Sequence, residues 1–383
     1  MIPGATAAAS RVFHRVSGRA LPVAVRGEGA LLWDAEGRRY LDFLAGIAVV
    51  GLGHRHPEVT AAAHAQLDRL WHVSNLYWTR PMLELAERLS VRFGGAQAFF
   101  CNSGAEAIEA GLKYARKASG KPGIVALENS FHGRTFGALS VTGQPVKWNG
   151  FGPLVPDVRF ARLNDAESLA AAAADGNVGC VLLEPIQGEG GINPATERFL
   201  ESAAELARGS GALLVFDEVQ CGLGRTGTFF AHEQLGIKPD VVALAKGLAN
   251  GLPIGALLVR DEAAGAFSPG DHASTFGGNP VACAAACAVL DALDDELLAS
   301  VREMGARLSS GLAALPAVTE VRGRGLLLGC ELDRPAGPAV AACLDAGLVV
   351  GSAGERVLRL TPPLVVGPAE VDRALAILTE VLR

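Results

Sequence analysis

Short apolar runs recur through the middle of the chain, each bounded by turn residues: Ala98–Cys101, Ile124–Leu127, Val181–Leu183, Ala212–Phe216 and Val241–Ala245. Their near-continuous Val, Leu and Ala content is that of strands buried on both faces, as parallel sheets require. Helical periodicity separates them. It is expected from Pro57 to Leu70, from Pro81 to Phe93, from Asn102 through Lys117, around residues 165–175, and near Glu197–Arg208. This β-α-β-α order predicts a mostly parallel sheet covered by helices. Ile254–Arg260 reads as an antiparallel hairpin strand, followed by helices over Pro280–Leu290 and onward to about Leu315.

The two ends of the chain have a different rhythm. Residues 20–50 alternate around turns such as Asp34-Ala-Glu-Gly37, the pattern of a small antiparallel meander. From about Val318 the layout becomes α+β: a strand over Val321–Leu332, a helix over 336–346, two further strands around Val349 and Arg359, and a last helix from Pro368. The expected organisation is an N-terminal segment (1–48) packing with a C-terminal small domain (281–383), and a large domain (49–280) between them. No internal repeat or long low-complexity linker interrupts it.

Composition narrows the class. Across 383 residues, half are hydrophobic and 19% charged, which supports extensive cores rather than disorder. The formal net charge is −6 without a dense basic block, arguing against nucleic acid or an anionic membrane as partner. The seven cysteines are scattered and lack CxxC pairs, which fits reduced thiols in a cytoplasmic protein rather than a disulfide framework or metal site. No apolar run approaches a membrane span. The first residues, MIPGATAAASRVFHRVSG, have no apolar h-region, so no secretory signal is expected.

Two strand ends carry the candidate chemistry. One apolar run stops at Asp217 and the other at Lys246. In a parallel sheet, residues just past the carboxyl ends of strands converge on the ligand crevice. Taken singly, Asp217 could cap a helix and Lys246 could be a loop charge. Together they match what pyridoxal phosphate requires: an amine for its aldehyde and an anion for its pyridine nitrogen. Ser103, Gly104 and Ala105 open a helix after a strand, where free N–H groups make a phosphate site, although Ser103 could equally be a plain N-cap. Phe131 and His132 follow another strand end, and Arg134 beside them could grip a carboxylate. Glu184-Pro-Ile-Gln-Gly-Glu-Gly-Gly191 is a third acidic strand end with glycines that allow close approach. Nucleotide-binding alternatives lack support, since neither GxGxxG after the first strand nor GxxxxGK[ST] occurs.

The motifs CNSGAEAIEAGLKYAR, SFHGRTFGALSVTGQ, LEPIQGEGGI, LLVFDEVQCGLGRTG, ALAKGLANGLPIGA, HASTFGGNPVACAAA and LRLTPPL, in this order, resemble those of fold-type I, class III (omega) aminotransferases. The FHGRT and SNLY segments are most similar to the acetylornithine branch. The resemblance implies a large domain with a seven-stranded, mostly parallel sheet, a smaller α+β domain, and a homodimer with shared active sites. It implies that Lys246 binds the cofactor covalently and then moves a proton, and that Asp217 pairs with the pyridinium. Val219 and Phe131 would sandwich the ring, with His132 in the cofactor site and Gln220 on the phenolic oxygen. Gly104 and Ala105 would hold the phosphate with Ser103 and with Thr275 of the neighbouring subunit. Many relatives have Thr where Ala105 stands. Arg134, with Ser274, would take the α-carboxylate of N-acetylornithine. Arg359 would take that of glutamate or 2-oxoglutarate, masked in turn by Glu189. The implied reaction moves the δ-amino group of N-acetyl-L-ornithine to 2-oxoglutarate. Ornithine, succinylornithine, 4-aminobutyrate or a lysine-pathway amine are alternative donors, and an aminomutase is a further alternative.

Overall fold

A computed structural model describes residues 22–383. The leader reading and the start of the N-terminal segment, residues 1–21, lie outside the described residues. The chain enters through an antiparallel meander, β1 (Ala24–Glu28), β2 (Leu31–Asp34) and β3 (Arg39–Asp42). Its turn is built by Asp34, whose Oδ1 accepts the N–H groups of Glu36 and Arg38 at 3.1 and 2.8 Å. A short side chain that caps its own turn is why the DAEG run bends here.

The central sheet contains β4 (Ala96–Cys101), β5 (Gly123–Leu127), β6 (Val158–Ala161) and β7 (Val178–Leu183). Two short strands, β8 (Ile186–Gln187) and β9 (Asn193–Pro194), then form a separate ribbon. The sheet resumes with β10 (Leu213–Asp217), β11 (Val241–Leu244) and β12 (Gly255–Arg260). Its order is β4-β12-β11-β10-β7-β5-β6, seven strands as expected. β12 runs antiparallel to both neighbours, and the pairings from β11 to β6 are parallel. Every residue of β5, β7 and β11 is buried, because helices cover both faces.

Two features differ from the sequence reading. β6 was not anticipated: it is an edge strand with Arg159 in its middle, and a polar residue in a short run hides it. β7 begins three residues earlier than the apolar run suggests, since Gly179 interrupts the pattern. A Cβ there would run into Ser119 Oγ and the Lys121 carbonyl, so the glycine marks close packing within the strand.

The C-terminal sheet is β13 (Val318–Arg324), β14 (Leu327–Leu332), β16 (Gly351–Ala353) and β17 (Val357–Leu360), in the order β13-β14-β17-β16. Between them β15 (Leu348–Val349) pairs in parallel with β3 and ties the meander to this end of the chain. The stretch Val321–Leu332, expected as one strand, folds as part of a tight hairpin that starts at Val318. Gly325, at φ +53°, sits against the backbone of Arg225 and Thr226, where any Cβ would clash. Helix Pro280–Ala292 packs on helices Pro57–Leu67 and Arg80–Phe93. Among the described residues, no helix is long and apolar enough to cross a membrane, and no group of His, Cys, Asp and Glu could hold a metal ion. All seven cysteines are free and buried.

Candidate active site

Because β4, β5, β7, β10 and β11 point the same way, the segments following them meet along one edge of the sheet. There they line a cleft of about 490 Å³. Ser103, Gly104 and Ala105 arrive from β4, Phe131, His132 and Arg134 from β5, and Glu184 and Glu189 from β7. Asp217, Val219 and Gln220 arrive from β10, and Lys246 from β11. Residues remote in the sequence thus converge because parallel strands deliver their ends together.

Lys246 adopts the left-handed conformation, φ +42°, which is strained for a residue with a Cβ and is found preferentially at functional positions. Its amine is buried, and this desolvation pulls its pKa down to about 8, against the opposing pull of Glu189. Asp217 is also buried and rigidly held. His132 Nδ1 donates to its Oδ2 at 2.7 Å, and the Val219 N–H donates to its Oδ1 at 3.0 Å. Nε2 of the same histidine is buried with no partner among the described residues.

The helix Gly104–Ser119 starts at the cleft. Ser103 is its N-cap, accepting the Glu106 N–H at 3.2 Å, so its hydroxyl is engaged in capping. The N–H groups of Gly104 and Ala105 belong to the first turn and have no acceptor within the helix. A Cβ on Gly104 would lie 2.7 Å from Val219 Cγ1, so glycine here lets the backbone approach the valine that walls the cleft.

Beside this pocket, Arg359 on β17 pairs with Glu189, and the guanidinium is buried while the carboxylate is half-buried. Gln220 bridges them: its Oε1 accepts from Arg359 Nη1 at 3.4 Å and its Nε2 donates to Glu189 Oε1 at 3.4 Å. Burial disfavours charge on Glu189, but the Arg359 guanidinium outweighs it and holds the carboxyl below its ordinary range. Nε of Arg359 is buried without a partner among the described residues.

Three anticipated residues stand apart from this chain's own cleft wall. Arg359 lies behind Glu189, and Ser274 and Thr275 are absent from the lining. Ser274 Oγ is engaged with Asn102 Nδ2 and the Gly277 N–H, each at 3.1 Å, and Thr275 is exposed.

Two residues were given no role from the sequence. Glu184 is buried, accepts the N–H groups of Phe131 and Gly188 at 3.0 Å, and is pushed by burial up to about 7. Its signal was the same strand-end position that marked Asp217. Lys147 lies over the Phe131 ring at 5.7 Å from its centroid, and Arg134 over the same ring at 5.4 Å. Burial and the neighbouring Arg134 lower its pKa. Nothing in its local sequence distinguishes it from a surface lysine.

Comparison with known proteins decides the family. The profile described as aminotransferase class-III matches residues 13–382. The chain belongs to this family. Class-III aminotransferases are pyridoxal-phosphate-dependent transferases of fold-type I, and this chain is one of them. It is 47% identical to an acetylornithine aminotransferase of Aquifex aeolicus over 94% of its own length and 97% of that protein. Against one of Mycobacterium bovis it is 49% identical over 94% and 92%. Among solved structures, N-acetylornithine aminotransferase of Stenotrophomonas maltophilia superposes with a TM-score of 0.85 at 38% identity, covering 98% of this chain and 97% of that one. Ornithine aminotransferase of Toxoplasma gondii reaches 0.93 at 34%, covering 98% and 93%.

The residues present fit the cofactor. The cleft offers a desolvated amine, a fixed buried carboxylate and, at a helix N-terminus, N–H groups without helical acceptors.

Proposed function

We propose that this class-III aminotransferase transfers the δ-amino group of N2-acetyl-L-ornithine to 2-oxoglutarate, giving N-acetyl-L-glutamate 5-semialdehyde and L-glutamate, as a step of arginine biosynthesis in the cytoplasm. The similar proteins named for that substrate support the reading. The observation that carries it is the Arg359–Glu189 pair. One pocket must accept a substrate whose terminal amine reacts and another whose α-amine reacts. A carboxylate that covers an arginine, and can be exchanged for a ligand carboxylate, reconciles the two. The unpartnered Nε of Arg359 is a spare donor for such a ligand.

When bound, pyridoxal phosphate supplies an aldehyde that captures the amine and a protonated ring that withdraws electron density from the reacting carbon. Lys246 would hold the cofactor through its amine and, once free, would take the proton from the reacting carbon as the base. Asp217, oriented by His132 and the Val219 N–H, would keep the ring nitrogen protonated. Val219 and Phe131 would flank the ring, Gln220 would bond its phenolic oxygen, and Gly104, Ala105 and Ser103 would hold the phosphate. Arg134, assisted by Ser274, binds the α-carboxylate of the amine donor.

The working unit is a homodimer in which Thr275 of one copy completes the phosphate site of the other. Exposed aromatic surface supports this. Trp71, Tyr77, Trp78 and Phe276 are all more than half exposed, Phe276 follows Thr275 directly, Trp78 lines a pocket with His272 and Gly277, and Asn279 Nδ2 donates to the Trp71 carbonyl at 3.0 Å. The test is spectroscopic. N-acetylornithine should bleach the visible band of the loaded enzyme and 2-oxoglutarate should restore it. A higher kcat/KM for 4-aminobutyrate or ornithine than for N-acetylornithine would reject the substrate assignment.

A further inference from the structure

Arg359 has a counterpart on its own sheet. In the C-terminal sheet Arg322 of β13 is in register with Gly329 of β14, and Gly329 with Arg359 of β17. Residues directly opposite across adjacent strands project to the same face. The row therefore reads arginine, glycine, arginine, with a trough at the glycine. Into that trough drops the loop between β8 and β9. A Cβ on Gly329 would lie 2.8 Å from Ile192 Cβ, and Ile192 is fully buried. The loop is thus seated between the two arginines, and each takes hold of it differently. Arg359 pairs with the Glu189 side chain. Arg322 donates to the Gly191 carbonyl twice, from Nη2 at 3.1 Å and Nε at 3.3 Å, while its Nη1 pairs with Glu320 and Glu331.

The distinction matters for a movable carboxylate. If the backbone of the loop were free, releasing Glu189 from Arg359 would loosen the whole segment and cost its ordering again on return. A guanidinium clamped on the Gly191 carbonyl confines the motion to one side chain. The two acidic partners fix Arg322 itself, so its fork is held for this carbonyl. We propose that Arg322 is a positioning residue: by anchoring Gly191 it holds Glu189 over Arg359 and so sets the preference between terminal-amine and α-amine substrates. This rests on reading Glu189 as the gate over Arg359.

The test compares two half-reactions of the loaded enzyme, followed by its visible band, with N-acetylornithine and with L-glutamate. Glu189→Gln should move the ratio toward glutamate. Arg322→Gln should move it the same way by roughly fivefold, the worth of about one hydrogen bond. The double variant should equal Glu189→Gln alone, because Arg322 acts through that carboxylate. In protein stripped of cofactor, amide exchange over residues 186–194 should quicken in Arg322→Gln by roughly fivefold or more, ahead of other segments. Should Arg322→Gln not fold, Arg322→Lys keeps a charge facing Glu320 and Glu331, loses the fork, and is expected to show the same shift. If Glu189→Gln leaves the ratio unchanged, the gate reading and this proposal both fall. If Glu189→Gln shifts the ratio but the Arg322 variants slow both half-reactions equally, or add their own factor in the double variant, the gate stands and the role of Arg322 is refuted.

Discussion

Nδ1 of His132 lies 2.7 Å from Oδ2 of Asp217, and both side chains are buried. Asp217 is therefore held at both oxygens, since the Val219 N–H occupies the other. Removing its charge should be far more damaging than loosening its orientation. Asp217→Asn is expected to lower kcat by about a hundredfold or more, as loss of a group that controls protonation does. His132→Ala, which deletes one hydrogen bond to a charged group, should lower it by about tenfold. Steady-state kinetics at saturating substrates would check both, and equal effects would mean that the histidine is doing more than orientation.

The buried amine of Lys246 yields a pH dependence with a definite sign. Burial lowers its pKa to about 8, so the neutral, nucleophilic form accumulates as pH rises through that value. Stripped protein should load pyridoxal phosphate faster as pH increases, by about tenfold from pH 7 to pH 9, and then level off. The folded pKa lies below that of the unfolded chain. The contribution to stability is thus complete above the ordinary lysine pKa and is lost as pH falls through about 8. Lys246→Met should lose covalent loading and flatten this part of the stability profile of the stripped protein.

Gly104 and Val219 are in close approach, so Gly104→Ala places a methyl 2.7 Å from Val219 Cγ1 and forces the valine to shift. Because the valine walls the cleft, the cofactor dissociation constant should rise by about tenfold, a cost of the size that overpacking imposes. Titrating stripped protein with pyridoxal phosphate measures it.

Arg359→Ala removes the proposed carboxylate grip. KM for 2-oxoglutarate should rise by roughly thirtyfold or more, the penalty for losing one partner of a buried charge pair. KM for the amine donor should change little. A parallel rise in both would place Arg359 outside the acceptor site.

A separate prediction concerns stability. Arg225 is buried without an acidic partner among the described residues, and its Nη1 donates to the carbonyls of Leu326, at 3.1 Å, and Pro362. It joins the segment after Gln220 to the C-terminal sheet. Arg225→Ala would leave those carbonyls unpaired and should destabilise the fold by about 3 kcal/mol, read as a fall in denaturation midpoint.

Much of the site was legible because its determinants are local. A strand that must be buried on both faces is written as an unbroken apolar run, and the first polar residue after it is then conspicuous. Asp217, Lys246 and Glu184 announce themselves in this way. Ser103 was ambiguous for an equally local reason: the residue that caps a helix is the residue type that suits a phosphate, and in the fold its hydroxyl is engaged as the cap. β6 escaped because an edge strand carries a polar residue where a central strand cannot. Lys147 escaped because its surroundings come from other segments.

The order of apolar runs and helices was sufficient to establish a mostly parallel sheet with chemistry at its carboxyl edge, since hydrophobic periodicity and chain connectivity are properties of the linear sequence. Which residues face each other across strands was not. The row Arg322–Gly329–Arg359 and the seating of the Glu189 loop upon it depend on hairpin register. A shift of one residue would turn both arginines to the other face. Only the folded sheet settles that register, because it is decided by packing between segments far apart along the chain.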